Sequence, residues 1–216
     1  MKIGVLALQG AFREHIIKLQ ALGVDAREIR LPEQLDELDA LIIPGGESTT
    51  IGKLAVAFGL LEPLRAFTQD RPTWGTCAGL ILLARRAVGQ KKGGQPLIGG
   101  LDITVDRNYF GRQVNSFEAD LDVPALAEVA RPEDPDGAFH AIFIRAPAVV
   151  ETGPEVQIIA RLPEEGPIIA VRQGHLLGAA FHPELSNDLR FHRYFVSMIE
   201  ASRAVSLSQA RFFNFR

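Results

Sequence analysis

The feature that most limits the fold is a rhythm repeated along the first half of the chain. A strand-length apolar run gives way to a glycine-bearing turn and then to apolar residues at helical spacing. Lys2 to Leu8 is such a run, followed by Gln9-Gly10 and by Phe12, Ile16, Leu19 and Leu22, with Gly23 as the stop. Val24 to Ile29 reads as a second strand, Leu31 to Leu38 as a short helix and Asp39 to Ile43 as a third strand. Ile51 to Phe58 and Leu60 to Phe67 read as helices, a short extended run precedes Cys77, and Ala78 to Arg86 reads as a helix. Strands alternating with helices predict a mostly parallel sheet covered on both faces, with ligands at the carboxyl ends of the strands.

The second half changes grammar. From Ile98 to Val123 the segments are short and alternating, such as Ile103 to Arg107 and Arg112 to Ala119, which predicts antiparallel or edge strands. Ala141 to Arg145, Val156 to Arg161, Ile168 to Arg172 and Leu176 to Phe181 read as further strands, and Asp188 to Val205 as an amphipathic helix burying Phe191, Phe195, Met198 and Ile199. The Pro-rich stretch Arg131 to Gly137 reads as a mobile loop, not a domain boundary. With 216 residues, 47% of them hydrophobic, the expectation is a single domain over residues 1–216. A net charge of −3 without a basic run carries no nucleic-acid footprint. The N-terminus enters a strand pattern directly, and no apolar run reaches the roughly 20 residues a membrane span needs, so a cytoplasmic protein with a reduced thiol is expected.

That thiol is the only cysteine, Cys77, and it falls where Arg71 to Thr76 turns into helix. A lone cysteine is most often a buried packing residue. Here Gly75, Ala78 and Gly79 surround it, so another backbone or a substrate can come close, and the following helix aims its free N–H groups at the sulfur, favouring a thiolate. That is how a nucleophile is presented. It then needs a base and an acid. His182 and Glu184 are two residues apart, so in an extended segment they share a side, and a carboxylate beside an imidazole fixes its orientation and stabilises its charged form. The alternative is a turn with Glu184 at a helix start. His15, His140, His175 and His192 show no comparable carboxylate neighbour in sequence, and no Cys/His cluster has metal-ligand spacing. The third strand runs into Pro44-Gly45-Gly46-Glu47-Ser48-Thr49-Thr50, where paired glycines expose N–H groups suited to an oxyanion or a phosphate. A phosphate loop is disfavoured by the missing Gly-Lys-Ser/Thr ending and by the Glu47 carboxylate. A plain turn with Ser48 capping the next helix is the other reading.

Gly-Thr-Cys-Ala-Gly with a later His-Pro-Glu resembles the triad of class I glutamine amidotransferases, whose glutaminase domains are flavodoxin-like α/β sandwiches with a mostly parallel central sheet. Leu8-Gln9-Gly10, the Pro44 to Thr50 loop, Gly111 to Phe117, Phe143 to Pro147 and Phe181 to Leu185 together are similar to the branch of that family that serves pyridoxal 5'-phosphate synthesis. The resemblance implies Cys77 as nucleophile, His182 as general base and acid, and Glu184 as its orienter, with the oxyanion held by the N–H groups of Gly46 and Ala78. It implies glutamine-binding roles for Gly46, Glu47, Ser48, Arg107, Ile144 and Arg145. It further implies a (β/α)8-barrel synthase subunit as partner and no cofactor or metal on this chain, pyridoxal 5'-phosphate being the product made on the partner. A glutaminase of another amidotransferase, a catalytically silent subunit and a stand-alone γ-glutamyl peptidase are the competing readings. The Arg131 to Gly137 stretch and the aromatic tail Gln209 to Arg216 depart from the pattern without touching a motif.

Overall fold

The computed structural model describes residues 1–89, 94–111, 116–135 and 137–213, with side chains described up to residue 204. The first half supplies β1 (Lys2–Leu6), α1 (Phe12–Ala21), β2 (Asp25–Ile29), β3 (Ala40–Ile43), α2 (Ser48–Ala57), α3 (Leu61–Asp70), β4 (Thr73–Thr76) and α4 (Ala78–Leu83). The second supplies β5 (Ala84–Val88), β6 (Leu101–Asp106), β7 (Ser116–Leu121), β8 (Phe139–Ile144), β9 (Ala148–Thr152), β10 (Gln157–Arg161), β11 (Ile168–Gln173), β12 (Leu176–Ala179) and α5 (Arg190–Phe213). One sheet runs in the order β2-β1-β3-β4-β12-β11-β9-β6-β5, with β10 beside β11; β7 and β8 form a separate antiparallel pair. From β2 to β12 every neighbour is parallel, and beyond β12 antiparallel pairing takes over until β5 joins β6 in parallel. The expected α/β sandwich with a mostly parallel centre and an antiparallel region is the observed architecture.

Burial explains which strands are central. Every residue of β3, β4 and β12 is buried, as a strand covered on both faces requires, whereas edge strand β2 alternates. In α5, Phe191, Phe195 and Ile199 are fully buried and Met198 nearly so, as its periodicity predicts. In α1 the face is rotated: the buried residues are His15 and Leu19, with Phe12, Ile16 and Leu22 only partly covered.

Two local differences from the sequence reading have physical causes. The helix after Cys77 stops at Leu83, and the chain extends into β5, where Arg85 donates to Asp102 (2.8 Å) and Arg86 to Thr104 (2.9 Å) and Glu151 (2.9 Å). Cross-strand partners for two arginines outweigh their good helix propensity. Strand β9, unforeseen after Ala146-Pro147, bridges β6 and β11. Within the Arg131 to Gly137 loop, Asp134 pairs with Arg193 of α5 and accepts the Arg131 N–H at 2.7 Å. Residues 112–115 of the expected strand and of the Gly111 to Phe117 motif lie outside the described residues; so do the side chains of the aromatic tail, although the α5 backbone continues to Phe213.

An aromatic ladder ties the β7–β8 pair to the main sheet. Phe117 stacks on Phe143 at 4.5 Å, Phe143 meets Phe181 edge-on at 5.6 Å, and Phe181 meets Phe191 of α5 at 5.1 Å. Its effect is to hold the end of β8 over the carboxyl end of β4. Among the described residues no helix is long and apolar enough to cross a membrane.

Candidate active site

The carboxyl ends of β1, β3, β4 and β12 are neighbours, and each delivers one part of a single site. Cys77 leaves β4 in a left-handed conformation, φ 48° and ψ −102°, with its N–H bonded to Ala179 O of β12 at 2.8 Å. Such a conformation costs a residue with a Cβ about 1–3 kcal/mol and persists only where its surroundings over-determine it. The turn is tight because Gly79 lets α4 lie on β3: a Cβ there would stand 1.9 Å from the Ile43 carbonyl oxygen. Cys77 is 6% exposed, and its sulfur lies 4.0 Å from the Ile144 carbonyl at the end of β8.

His182 follows β12, its N–H donating to Ile142 O at 2.9 Å, which fastens β8 to the site. Its Nδ1 is 2.7 Å from Glu184 Oε1. Pro183 opens a one-turn 3₁₀ helix (Pro183–Leu185) that turns Glu184 back toward the imidazole. Gly45 makes room for the ring, since a Cβ there would come within 2.4 Å of His182 Cε1 and 3.4 Å of Cys77 Cβ. Burial alone would lower the His182 pKa, but the bonds and charges of Cys77 and Glu184 more than reverse this and raise it to about 10. Burial likewise would raise Glu184, yet His15 and His182 beside it hold the carboxyl below its usual range.

The Gly45-Gly46 loop is clamped from β1. Ala11 N–H donates to Gly45 O at 3.0 Å, and Glu47 N–H donates to the Gln9 side-chain carbonyl at 2.7 Å. Gly46 lies against the same Gln9 oxygen, to which a Cβ would come within 2.5 Å. The cap of α2 is Glu47, not Ser48: its carboxylate accepts the Thr49 N–H (3.1 Å), the Thr50 N–H (2.7 Å) and the Thr50 hydroxyl (2.7 Å). Partial burial pushes the Glu47 pKa up, and these bonds overcome that and bring it to about 2. Ser48 is buried and donates to Gln95 Oε1 at 3.1 Å. Arg107 Nη2 reaches Glu47 Oε1 at 3.3 Å, while its buried Nε has no partner among the described residues. Ala78 opens α4 beside the thiol.

Ile144 ends β8 with its carbonyl at Cys77, and Arg145 follows it. Arg145 is exposed and has φ 45°, so two non-glycine residues with left-handed backbone, Cys77 and Arg145, flank the same space. Every residue named from sequence for this site therefore falls at the one end of the sheet. Two neighbours of the site were given no role from sequence. Gln9 is one: it stands in the Leu8-Gln9-Gly10 motif, in the loop after β1, and its contact with the Glu47 N–H joins segments 38 positions apart. The other is His15, whose Nε2 lies 3.3 Å from Glu184 Oε2. The expectation that the remaining histidines lack carboxylates is corrected again at His140, whose Nδ1 and Nε2 face Asp120 (2.8 Å) and Glu118 (2.9 Å) on paired strands β7 and β8. Cross-strand neighbours are distant in sequence and so invisible to local spacing.

Residues 5–201 match the SNO glutamine amidotransferase family. The pyridoxal 5'-phosphate synthase subunit PdxT of Pelotomaculum thermopropionicum is 56% identical, covering 91% of this chain and 94% of its own. The probable pyridoxal 5'-phosphate synthase subunit PDX2 of Arabidopsis thaliana is 49% identical, covering 98% and 91%. A solved structure described as a glutamine amidotransferase superposes with a TM-score of 0.80 at 48% identity, covering 92% and 98%.

Proposed function

The chain belongs to the SNO glutamine amidotransferase family, and we infer that it is the glutaminase subunit of a pyridoxal 5'-phosphate synthase, hydrolysing L-glutamine to L-glutamate and ammonia. The observation that carries this reading is the alignment of Cys77, His182 and Glu184 across the ends of β4 and β12, with Glu184 Oε1 2.7 Å from His182 Nδ1. A catalytically silent subunit has no need of that arrangement.

In this reading the Cys77 thiolate attacks the side-chain amide carbon, and the oxyanion is received by the N–H groups of Gly46 and Ala78. The His182 imidazolium protonates the leaving nitrogen, ammonia departs, and a γ-glutamyl thioester remains. Neutral His182 then takes a proton from water as it attacks, and collapse releases glutamate and restores the thiolate with its imidazolium. Glu184 holds the ring and stabilises its charge throughout. Arg107 and Arg145 suit the α-carboxylate of glutamine and Glu47 its ammonium, with Ser48 and the Ile144 backbone completing the wall. The ammonia passes to a (β/α)8-barrel synthase subunit, where pyridoxal 5'-phosphate forms as product; this subunit's own chemistry uses no cofactor. A lone nucleophilic thiol fits a reducing cytoplasm.

Glutamate release from glutamine, measured for wild type and Cys77→Ala with and without the synthase subunit, tests the reading. Partner-stimulated release that disappears in the alanine variant is expected. Silence of the wild type beside a bound partner overturns it.

A further inference from the structure

The loop that leads into β6, residues 94–100, lies across three helices of the parallel half. Gly52 of α2 leaves room for it, since a Cβ there would stand 3.0 Å from Pro96 O. Arg65 of α3 donates to Leu97 O through Nε at 3.2 Å and Nη2 at 2.7 Å. Ile98 and Gly99 N–H both donate to Leu82 O, at 2.8 and 3.1 Å, one of the carbonyls that the end of α4 leaves without an intrahelical partner. The loop is therefore fixed from three sides.

At its head stands Gln95, which the reaction above does not use. Its Oε1 accepts two hydroxyls from the first turn of α2, Ser48 Oγ at 3.1 Å and Thr49 Oγ1 at 3.2 Å. Both lone pairs of that carbonyl are engaged. Its Nε2 is buried with no hydrogen-bond partner among the described residues. An unpaired buried donor is destabilising, so packing alone does not account for an amide at this position.

What the two bonds control is the start of α2. Three of the four N–H groups that a helix start leaves over are taken here: that of Glu47 by Gln9 Oε1, and those of Thr49 and Thr50 by the Glu47 carboxylate. The fourth, that of Ser48, stands at the positive end of α2, suited to a carboxylate. The Ser48 hydroxyl hydrogen is committed to Gln95, so Ser48 meets a ligand as an N–H donor.

We propose that Gln95 is a positioning residue for glutamine binding, which through the Ser48 and Thr49 hydroxyls fixes the first turn of α2, so that the Ser48 N–H and the Glu47 carboxylate are set for the amino-acid end of the substrate. Without Oε1, the hydroxyl of Ser48, a residue only 2% exposed, loses its acceptor and has to turn to another. The inference rests on the glutaminase reading.

The test uses the assembled complex of this chain with its synthase subunit, comparing wild type, Gln95→Met, the double variant Ser48→Ala/Thr49→Val, and all three changes together. Methionine keeps the length of the side chain and removes both the acceptor and the unpaired donor. Glutamate release gives kcat and KM, and calorimetric titration of glutamine into complexes that also carry Cys77→Ala gives Kd without turnover. In Gln95→Met, KM and Kd for glutamine rise roughly five- to tenfold, the net worth of about one hydrogen bond, while kcat stays within about twofold. Removing the two hydroxyls has the same effect, and combining all three changes adds little more, because each breaks the same contact. A Gln95→Met complex with unchanged KM and Kd overturns the proposal even if it melts earlier, since a merely structural residue would lower stability and leave affinity alone. Effects that multiply in full in the combined variant overturn it too. If the methionine variant fails to assemble, the double variant decides: unchanged KM there overturns the proposal. A wild-type complex that releases no glutamate, beside a Cys77→Ala complex that binds none, overturns the glutaminase reading itself.

Discussion

His182 and Glu184 are joined by a 2.7 Å bond across two positions of one segment, so in the proposed reaction the base and its orienter arrive together and need only β12 to aim them at Cys77. Replacing Glu184 by Gln keeps the shape but loses the charge and can select the wrong imidazole tautomer. The expected outcome is a fall in kcat on the order of 10³- to 10⁴-fold with KM little changed, read from steady-state glutamate release with the synthase subunit bound. The His-Pro-Glu pairing was legible in the sequence because i and i+2 share a side in extended chain. The buried histidines beside it were not. His15 meets His192 across 177 positions and Thr76 across 61, and helical periodicity, which ranks apolar residues, gave the core face of α1 to Phe12, Ile16, Leu19 and Leu22, of which Leu19 is buried together with a histidine that periodicity could not value.

At the scale of elements, the site depends on helix starts. Glu47 caps α2 and is lowered to about 2 against an ordinary value of 4.5. Because the folded-state pKa is depressed, folding favours the ionised form; the contribution is complete above about 4.5 and is lost as pH falls through about 2. Wild-type stability is therefore expected to decline over that window, and Glu47→Gln, less stable at pH 7, to decline less steeply, as urea unfolding midpoints across the acid range will show. A steeper decline in the variant would contradict the cap. At the nucleophile, Gly79→Ala sets a Cβ 1.9 Å from the Ile43 carbonyl oxygen, so α4 must move off β3 and carry the Ala78 N–H with it. A stability loss of about 3 kcal/mol is expected, with glutamate release falling further than the unfolded fraction explains. The strand-to-helix corner itself was readable from the small residues around Cys77. The early end of α4 was not, since Arg85 and Arg86 find their partners only after β6 and β9 are in place.

Over the whole molecule, the parallel half of the sheet could be read from its alternation, and with it the rule that places ligands at the carboxyl ends of β1, β3, β4 and β12. The order of the antiparallel half could not, because β9 and the β7–β8 pair are set by contacts between distant segments. That second half nonetheless roofs the site, through the aromatic ladder from Phe117 to Phe191 and the bond from His182 N–H to Ile142 O. The Gly45-Gly46 loop, the proposed oxyanion site, is held differently. Gly45 and Glu47 are tied to the β1 loop by single bonds of 3.0 and 2.7 Å from Ala11 N–H and to Gln9 Oε1, and Gly46 between them has no Cβ to limit its peptide. A subunit that released ammonia without a consumer would waste glutamine. We therefore expect the free chain to be a weak glutaminase and partner docking to align the Gly46 N–H. In the proposed reaction that N–H serves the oxyanion more than the ground-state carbonyl, so docking should raise kcat by the worth of one oxyanion-hole donor, roughly 10²- to 10³-fold, and leave KM nearly alone. Titrating the synthase subunit into a fixed amount of this chain while following glutamate measures both constants. Full turnover by the free chain would mean that the loop is already set, and a partner effect confined to KM would mean that docking closes the glutamine pocket and leaves the oxyanion donors unchanged.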